Sequence, residues 1–227
     1  MTLQIPEKST ASIRWLAAPT SWSWLEQAIA CPMEVLIDHA HCERKAAGFA
    51  TQLMFRYLCE PGLGEVLSPL AREELEHFER VLDLLKHKGR YLEPLPSSGY
   101  GAALAKEVRK EEPSRMLDSF LVAGLIEARS HERMALLAEH SPDGELRALY
   151  ADLLRSEARH FGIYWTLAES KWPRDVVVER LKQLASAETL SLQGELKRPS
   201  DVRMHSVGVA LQTWNSAQSI RKIFEIF

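Results

Sequence analysis

Apolar residues recur at alternating steps of three and four along most of the chain. The first long stretch with this spacing begins at Pro32, a residue suited to a helix's first turn, and runs to about Leu58, where Pro61 and Gly62 stop it. A second, from about Gly64 to Lys88, places Leu67, Leu70, Glu74, His77, Val81 and Leu84 on one seam and ends at Gly89. Residues 89–112 carry Pro94, Pro96, Ser97, Ser98, Gly99 and Gly101; they predict a connection long enough to traverse a bundle, with a short helix around Leu104 to Lys110. Pro113 and Ser114 open a third helix, which reaches about His140, and Ser141-Pro142-Asp143-Gly144 makes a tight turn into a fourth. The seam of that fourth helix reads Leu146, Leu149, Leu153, Glu157, His160, Tyr164 and Leu167.

Four long helices in two hairpins, joined by one long crossover, predict an all-α, ferritin-like four-helix bundle. Trp22 to Ala30 adds a leading helix and Arg174 to about Leu192 an amphipathic one, after which the pattern decays. The expected organisation is one helical domain over residues 1–207, with its core bundle at about 32–170 and the extra helix at about 174–192. Residues 208–227 are expected to form a tail, either loosely ordered or a small helix.

Composition narrows the class further. Of 227 residues 46% are hydrophobic and 26% charged, while Gly and Pro number 11 each, too few for the turns of an all-β architecture. The longest purely apolar run, Phe120 to Ile126, falls far short of the roughly 20 residues a bilayer requires, so no membrane partner is expected. Glu7 and Lys8 stand where a secretory signal would have its apolar core, which predicts a cytoplasmic protein. Cys31, Cys42 and Cys59 form no CxxC pair, so neither a disulfide framework nor a thiolate zinc site is expected.

Charge enters where leucine belongs. The seams of the second and fourth helices each carry a Glu and, three residues on, a His, about 60° around the axis and roughly 4.5 Å along it, so both can converge on one ion. The frame Arg-x-Glu-x-x-His-Phe occurs twice at an offset of 83 residues, ending at Phe78 and Phe161. The alignment selects Glu74 and Glu157 as equivalents, because Glu73 falls opposite Ser156 and Glu76 opposite Arg159. Glu43 and Glu127 stand 31 and 30 residues before Glu74 and Glu157, each mid-helix beside small residues: Ala40, Ala46 and Ala47 for the first, Ala123, Gly124 and Ser130 for the second. That pattern predicts open space next to each carboxylate. A solvated face would explain one such pair, not two in register on leucine seams. Burying the pairs unpartnered costs several kcal/mol each, and metal binding removes the conflict. Four Glu and two His match the two-metal carboxylate site of such bundles and suit iron or manganese. Two divalent ions also balance four carboxylates, which turns the formal charge of −3 on the remaining surface into about +1.

Three further histidines divide by position. His131 and His39 each lie one turn from a predicted ligand and are candidates for outer hydrogen-bonding partners; His41 points elsewhere and reads as structural or surface, and Cys42 as buried filler.

At these residues the chain resembles the tRNA 2-methylthio-isopentenyl-adenosine hydroxylases, the MiaE-like branch of the ferritin-like proteins. The likeness rests on Asp38-His39-Ala40-His41-Cys42-Glu43-Arg44-Lys45-Ala46-Ala47, on the Arg-Glu-Glu-Leu-Glu-His-Phe run ending at Phe78, on Glu127-Ala128-Arg129-Ser130-His131-Glu132-Arg133 and on Ser156 to Phe161. It spans roughly residues 15–195, with an echo at Arg203-Met204-His205-Ser206. The resemblance implies a non-haem di-iron monooxygenase that hydroxylates the isopentenyl group of a modified adenosine beside the tRNA anticodon. By it Glu43, Glu74, His77, Glu127, Glu157 and His160 hold two irons, and Glu43 and Glu127 belong to the catalytic centre. It also implies dioxygen as co-substrate and an external reductase or ferredoxin, since no flavin or dinucleotide fingerprint is present.

For the RNA, Lys86, Lys88, Arg90 and Tyr91 at the end of the second helix offer phosphate contacts and a stacking ring. Opposition to the helix dipole explains the basic groups there equally well. Lys106, Arg109 and Lys110 in the crossover, and Lys197, Arg198 and Arg203 near the end, are further candidates of the same kind. Two rival readings remain: iron oxidation or peroxide removal by a ferritin-like or rubrerythrin-like site, and a metal-free helical interaction module.

Overall fold

In the computed structural model residues 15–96, 98–193 and 199–205 are described; the predicted tail at 208–227, Lys197 and Arg198 lie outside them. Their helices are α1 (Trp22–Ala30), α2 (Pro32–Arg56), α3 (Leu63–His87), α4 (Tyr100–Glu107), α5 (Ser114–His140), α6 (Gly144–Glu169) and α7 (Arg174–Ser191), followed by a 3-10 turn at Pro199–Asp201. Pro32 occupies the first turn of α2, Ser21 Oγ accepts from the Trp24 amide at the start of α1, and Asp143 caps α6 by accepting from the amides of Glu145 and Leu146. No strand occurs among the described residues, and none of their helices is long and apolar enough to cross a membrane.

The helices α2 and α3 form one hairpin and α5 and α6 the other, with the crossover running between them. The four-helix, crossed-over bundle is the expected ferritin-like architecture. The seams match their sequence pattern with one slip: towards the end of α3 it is Leu85 that is buried, and Leu84 only half so. A straight helix turns 3.6 residues per cycle, so a three-step after Val81 falls behind the seam and a four-step stays on it. The crossover helix also differs from expectation. It spans Tyr100–Glu107 rather than Leu104 to Lys110, because Gly99, with φ of 81°, starts it early and extended Val108 ends it.

Two apolar cores lie end to end along the bundle. One gathers Ala50 and Leu53 of α2, Leu67 and Leu70 of α3, Phe120 and Leu121 of α5 and Trp165 of α6. The other gathers Val35 and Leu36 of α2, Val81 and Leu85 of α3, Leu137 of α5 and Leu153 of α6. Five of the six predicted ligands fall in sequence between the residues of these two cores, in a polar layer across the middle, and Glu127 stands between Leu125 and Ala128 of the first core. The same assignment shows that the C-terminal end of α3 lies beside the N-terminal half of α2.

Buried charge pins the outer elements to α5. Arg129 of α5 donates from Nε and Nη2 to the two oxygens of Glu188 on α7, at 2.8 and 2.9 Å, and Tyr100 of α4 donates to Glu188 Oε1 at 3.0 Å. At the other end of α4, Arg109 and Arg180 both donate to buried Asp118. Bidentate guanidinium–carboxylate pairs are geometrically strict, so α4 and α7 are held in fixed register over α5.

Candidate metal centre

Each predicted ligand sits mid-helix, so its backbone polar groups are satisfied and its position is rigid. Glu43 comes from α2, Glu74 and His77 from α3, Glu127 from α5, and Glu157 and His160 from α6; all six are buried. Ligand atoms of Glu74, His77, Glu157 and His160 lie within 4.8 Å of one another. His77 Nδ1 is 3.0 Å from Glu157 Oε1, 3.6 Å from Glu43 Oε2 and 3.9 Å from Glu74 Oε2. His160 Nδ1 is 2.8 Å from Glu74 Oε1 and 3.7 Å from Glu157 Oε1. Glu74 and Glu157 therefore stand between the two imidazoles. Glu43 lies on the His77 side and Glu127 lines the adjoining cavity; both stand outside the tight group of four.

The far nitrogen of each ring settles what the near one can do. His160 Nε2 faces Glu73 Oε2 at 3.0 Å, and a carboxylate only accepts, so that nitrogen carries the proton. His77 Nε2 faces Ser156 Oγ at 2.9 Å; the Ser156 hydroxyl already donates to the Leu153 carbonyl at 2.8 Å, so it accepts from the ring. Both Nδ1 lone pairs then confront carboxylate oxygens. Glu74 Oε1 and Oε2, Glu157 Oε1 and the two Nδ1 atoms are buried with no hydrogen-bond partner. Lone pairs facing lone pairs in a buried layer call for a cation between them, and oxygen and imidazole donors without thiolate fit iron or manganese.

Without metal, protons must serve instead. Burial, followed by the charges of Glu157 and Glu43, pushes the Glu74 carboxyl well above its ordinary value; burial and Glu74 do the same to Glu127. Burial would lower His77, but its contacts with Glu157 and Glu43 outweigh this and raise it to about 9. Glu43 goes the other way: burial raises it, and His39 with His77 more than compensates, holding it below the usual carboxylate range.

Of the candidate outer partners, His39 reaches a ligand: its Nε2 is 2.5 Å from Glu43 Oε1 while its ring stacks on Tyr150. His131 packs edge-on against Phe161 and makes no hydrogen bond to a predicted ligand among the described residues. His41 Nε2 donates to the Glu93 carbonyl at 2.8 Å and ties α2 to the crossover. Burial, and after it Asp38, pushes the Cys42 thiol well above its ordinary value, which leaves it a poor nucleophile.

A cavity of about 530 Å³ leads from Glu127 and Tyr164 to the surface between α2, α4 and α5. Phe49, Val122 and Ile126 make its apolar wall, and the small faces of Gly101, Ala102 and Ala105 on α4 leave its outer part open. Exposed Lys45 and half-exposed Arg115 stand at its rim, and neither enters an ion pair among the described residues. The expectation of open space beside the carboxylates holds for Ala46 and Ala123, which line this cavity. It fails at Gly124, where a Cβ would lie 2.3 Å from the Trp15 ring: a side chain from before α1 fills that room. Ser130 is likewise engaged, 3.0 Å from His205 Nε2. His205 also stacks on Tyr100 and lines the cavity, and buried Asp38 accepts from the Met204 amide at 2.8 Å, so residues 203–205 close one side of the site. The Arg-Met-His echo near the end of the chain was the one sequence signal of that closure.

The basic cluster ending α3 is placed differently. Lys88 pairs with Asp143 and Glu145, His87 with Glu145, and Arg90 with Glu93, while Lys86 has no ion pair among the described residues and Tyr91 is exposed. This end of α3 lies beside the start of α2, around Val35 and Leu36, whereas the cavity is lined by the middle of α2, from Asp38 to Phe49. In the crossover, Arg109 is committed to Asp118, and Arg203 is buried.

Comparison with known proteins agrees with this geometry. The family model described as tRNA-(MS[2]IO[6]A)-hydroxylase (MiaE) matches residues 8–206. The tRNA 2-(methylsulfanyl)-N(6)-isopentenyladenosine(37) hydroxylase of Pseudomonas putida is 39% identical over 85% of this chain and 92% of its own. Its namesake from Salmonella typhimurium is 26% identical over 78% and 83%. A solved structure described as "Protein 43 with aldehyde deformylating oxygenase activity from Synechococcus" is 76% identical, covers 88% of this chain and 100% of its own, and superposes with a TM-score of 0.86. On both the family match and the Pseudomonas relative, this chain belongs to the MiaE family of tRNA hydroxylases.

Proposed function

We propose that this protein is a dioxygen-dependent di-iron monooxygenase that hydroxylates the isopentenyl group of 2-(methylsulfanyl)-N6-isopentenyladenosine next to the tRNA anticodon. The observation that carries the reading is the buried four-Glu, two-His layer at the inner end of an apolar cavity with cationic groups at its rim. The relatives' names support the substrate. Glu43, Glu74, His77, Glu127, Glu157 and His160 would hold two iron ions, which when bound supply reduction of dioxygen and oxygenation of a C–H bond.

The chain's own residues provide everything around that chemistry. Phe49, Val122 and Ile126 take up the prenyl group and exclude water, while the rim leaves the adenosine and its backbone outside. Lys45 and Arg115 meet phosphate, with Lys86, Lys88, Arg90 and Tyr91 as a more distant surface. Ser156 and Glu73 hold the ring proton on the far nitrogen of each histidine, so both Nδ1 atoms stay free to bind metal. Two electrons come from a separate reductase or ferredoxin, and the compartment is the one that contains tRNA, the cytoplasm.

The test is incubation with isopentenylated tRNA, a reductant and labelled dioxygen, followed by nucleoside mass spectrometry; the product should gain one labelled oxygen. A second reading has its own observation, the 76% identity to a protein described with aldehyde deformylating oxygenase activity. The apolar wall of the same cavity suits the hydrocarbon chain of an aldehyde as it suits a prenyl group, and release of formate from an added aldehyde in a parallel incubation separates the two.

A further inference from the structure

The two halves of the ligand frame are alike in their ligands and unlike in what stands behind them. In the 83-residue alignment Glu73 and Ser156 occupy the same position, one residue before Glu74 and Glu157. Each reaches across the α3–α6 interface to the histidine of the other half: Ser156 Oγ to His77 Nε2 at 2.9 Å, Glu73 Oε2 to His160 Nε2 at 3.0 Å. The device is thus duplicated in placement and divergent in chemistry. Behind His160 stands a carboxylate, steadied by Arg159 at 2.6 Å; behind His77 stands a neutral hydroxyl whose own proton is committed to the Leu153 carbonyl.

A ring N–H donated to a carboxylate moves electron density onto the opposite nitrogen and strengthens it as a ligand, whereas donation to a hydroxyl fixes the ring with little such gain. We propose that Glu73 and Ser156 are positioning residues that make the two metal positions unequal, the His160 position binding the more tightly and the His77 position the more weakly. Because one carboxylate–histidine unit and one hydroxyl–histidine unit face each other across shared Glu74 and Glu157, the first ion enters at His160 and the second at His77. The His77 ion is then the more exchangeable of the two. His39, which backs Glu43, is a separate contact on the His77 side that changes at Glu73 leave in place.

This inference rests on the reading of the layer as a two-metal centre and not on the identity of the substrate. The test is anaerobic titration of the metal-free protein with ferrous ion, with Mössbauer spectra of the 57Fe-loaded form. Wild type should bind in two resolved steps and show two quadrupole doublets of equal area. Glu73→Ala should weaken the tighter step by about 10- to 100-fold and shift one doublet, with the second step unmoved. Glu73→Gln, which still accepts from the ring but without charge, should recover part of that loss. Ser156→Ala should weaken only the second step. Glu73 is 35% exposed, so these changes do not empty a core, and Arg80→Gln, which breaks the exposed ion pair with Asp152 between the same two helices, serves as the structural control with both steps near wild type. Two equal steps in wild type, or a Glu73→Ala variant that weakens both steps alike or neither, would overturn the proposal while leaving the two-metal centre standing. Absence of stoichiometric binding in wild type would overturn both.

Discussion

Glu73 and Glu74 are adjacent carboxylates on one helix turn, yet Glu74 is buried among the predicted ligands while Glu73 is an edge residue whose Oε2 accepts from a histidine of another helix. Their substitutions should differ in kind. Glu74→Ala should abolish occupancy of at least one ion, whereas Glu73→Ala should lower affinity and leave the protein loadable at high ferrous concentration; elemental analysis after gel filtration checks this. The pH response of metal-free protein follows from the same layer. Glu74 and Glu127 are raised above their ordinary values, so above about pH 4.5 the folded state holds protons the unfolded state has lost, and stability falls as pH rises. His77, raised to about 9, contributes stability that is complete below its ordinary value of 6.5 and is lost as pH climbs through 9. Buried His205, lowered to about 3, and His131, also lowered, act in the opposite sense up to about pH 6.5, so thermal melting of the metal-free form should drop between pH 7 and pH 9. Metal replaces those protons, so the loaded form should melt higher with a flatter profile. A melting temperature unmoved by chelation at every pH would show that the six side chains do not share a buried site.

At the scale of elements, the four long helices were readable because each buries one face along its whole length, so the 3.6-residue period is written over six or seven turns. The buried Glu and His layer was readable for the same reason: Glu and His on a leucine seam break a pattern that the neighbouring positions define. Position in a helix said nothing about what approaches it from elsewhere. Gly124 read as open space beside Glu127, but the room is taken by Trp15, 109 residues away in sequence. Gly124→Ala should accordingly destabilise the fold, by about 1–3 kcal/mol in urea unfolding, through overpacking against that ring, without loss of metal. The α4 face behaves in the opposite sense. Ala102 and Ala105 are exposed at the cavity's outer part, so Ala105→Trp should keep stability and metal content and lose turnover by blocking entry. Equal turnover in that variant would mean substrate enters by another route.

Across the whole molecule, the family and its chemistry were legible from 30 residues in four short strings, while the surface proposed to meet RNA was not. Basic side chains are common at helix ends, and only the fold reveals that Lys88 and Arg90 are matched by acids whereas Lys45 and Arg115 flank the cavity. Replacing Lys45 and Arg115 together with Ala should weaken tRNA binding and lower the salt dependence by about 0.7 per lost phosphate contact, with metal content intact. The corresponding change at Lys86, Lys88 and Arg90 should cost less, as two of the three already have partners.

Mass spectrometry of nucleosides from isopentenylated tRNA, after incubation with iron-loaded protein, a reductant and 18O2, tests the account most directly. The expected product is the modified adenosine heavier by one 18O atom, formed by wild type and absent with Glu127→Ala. An unlabelled nucleoside from wild type, while dioxygen is consumed and formate appears from an added aldehyde, would contradict the hydroxylase assignment.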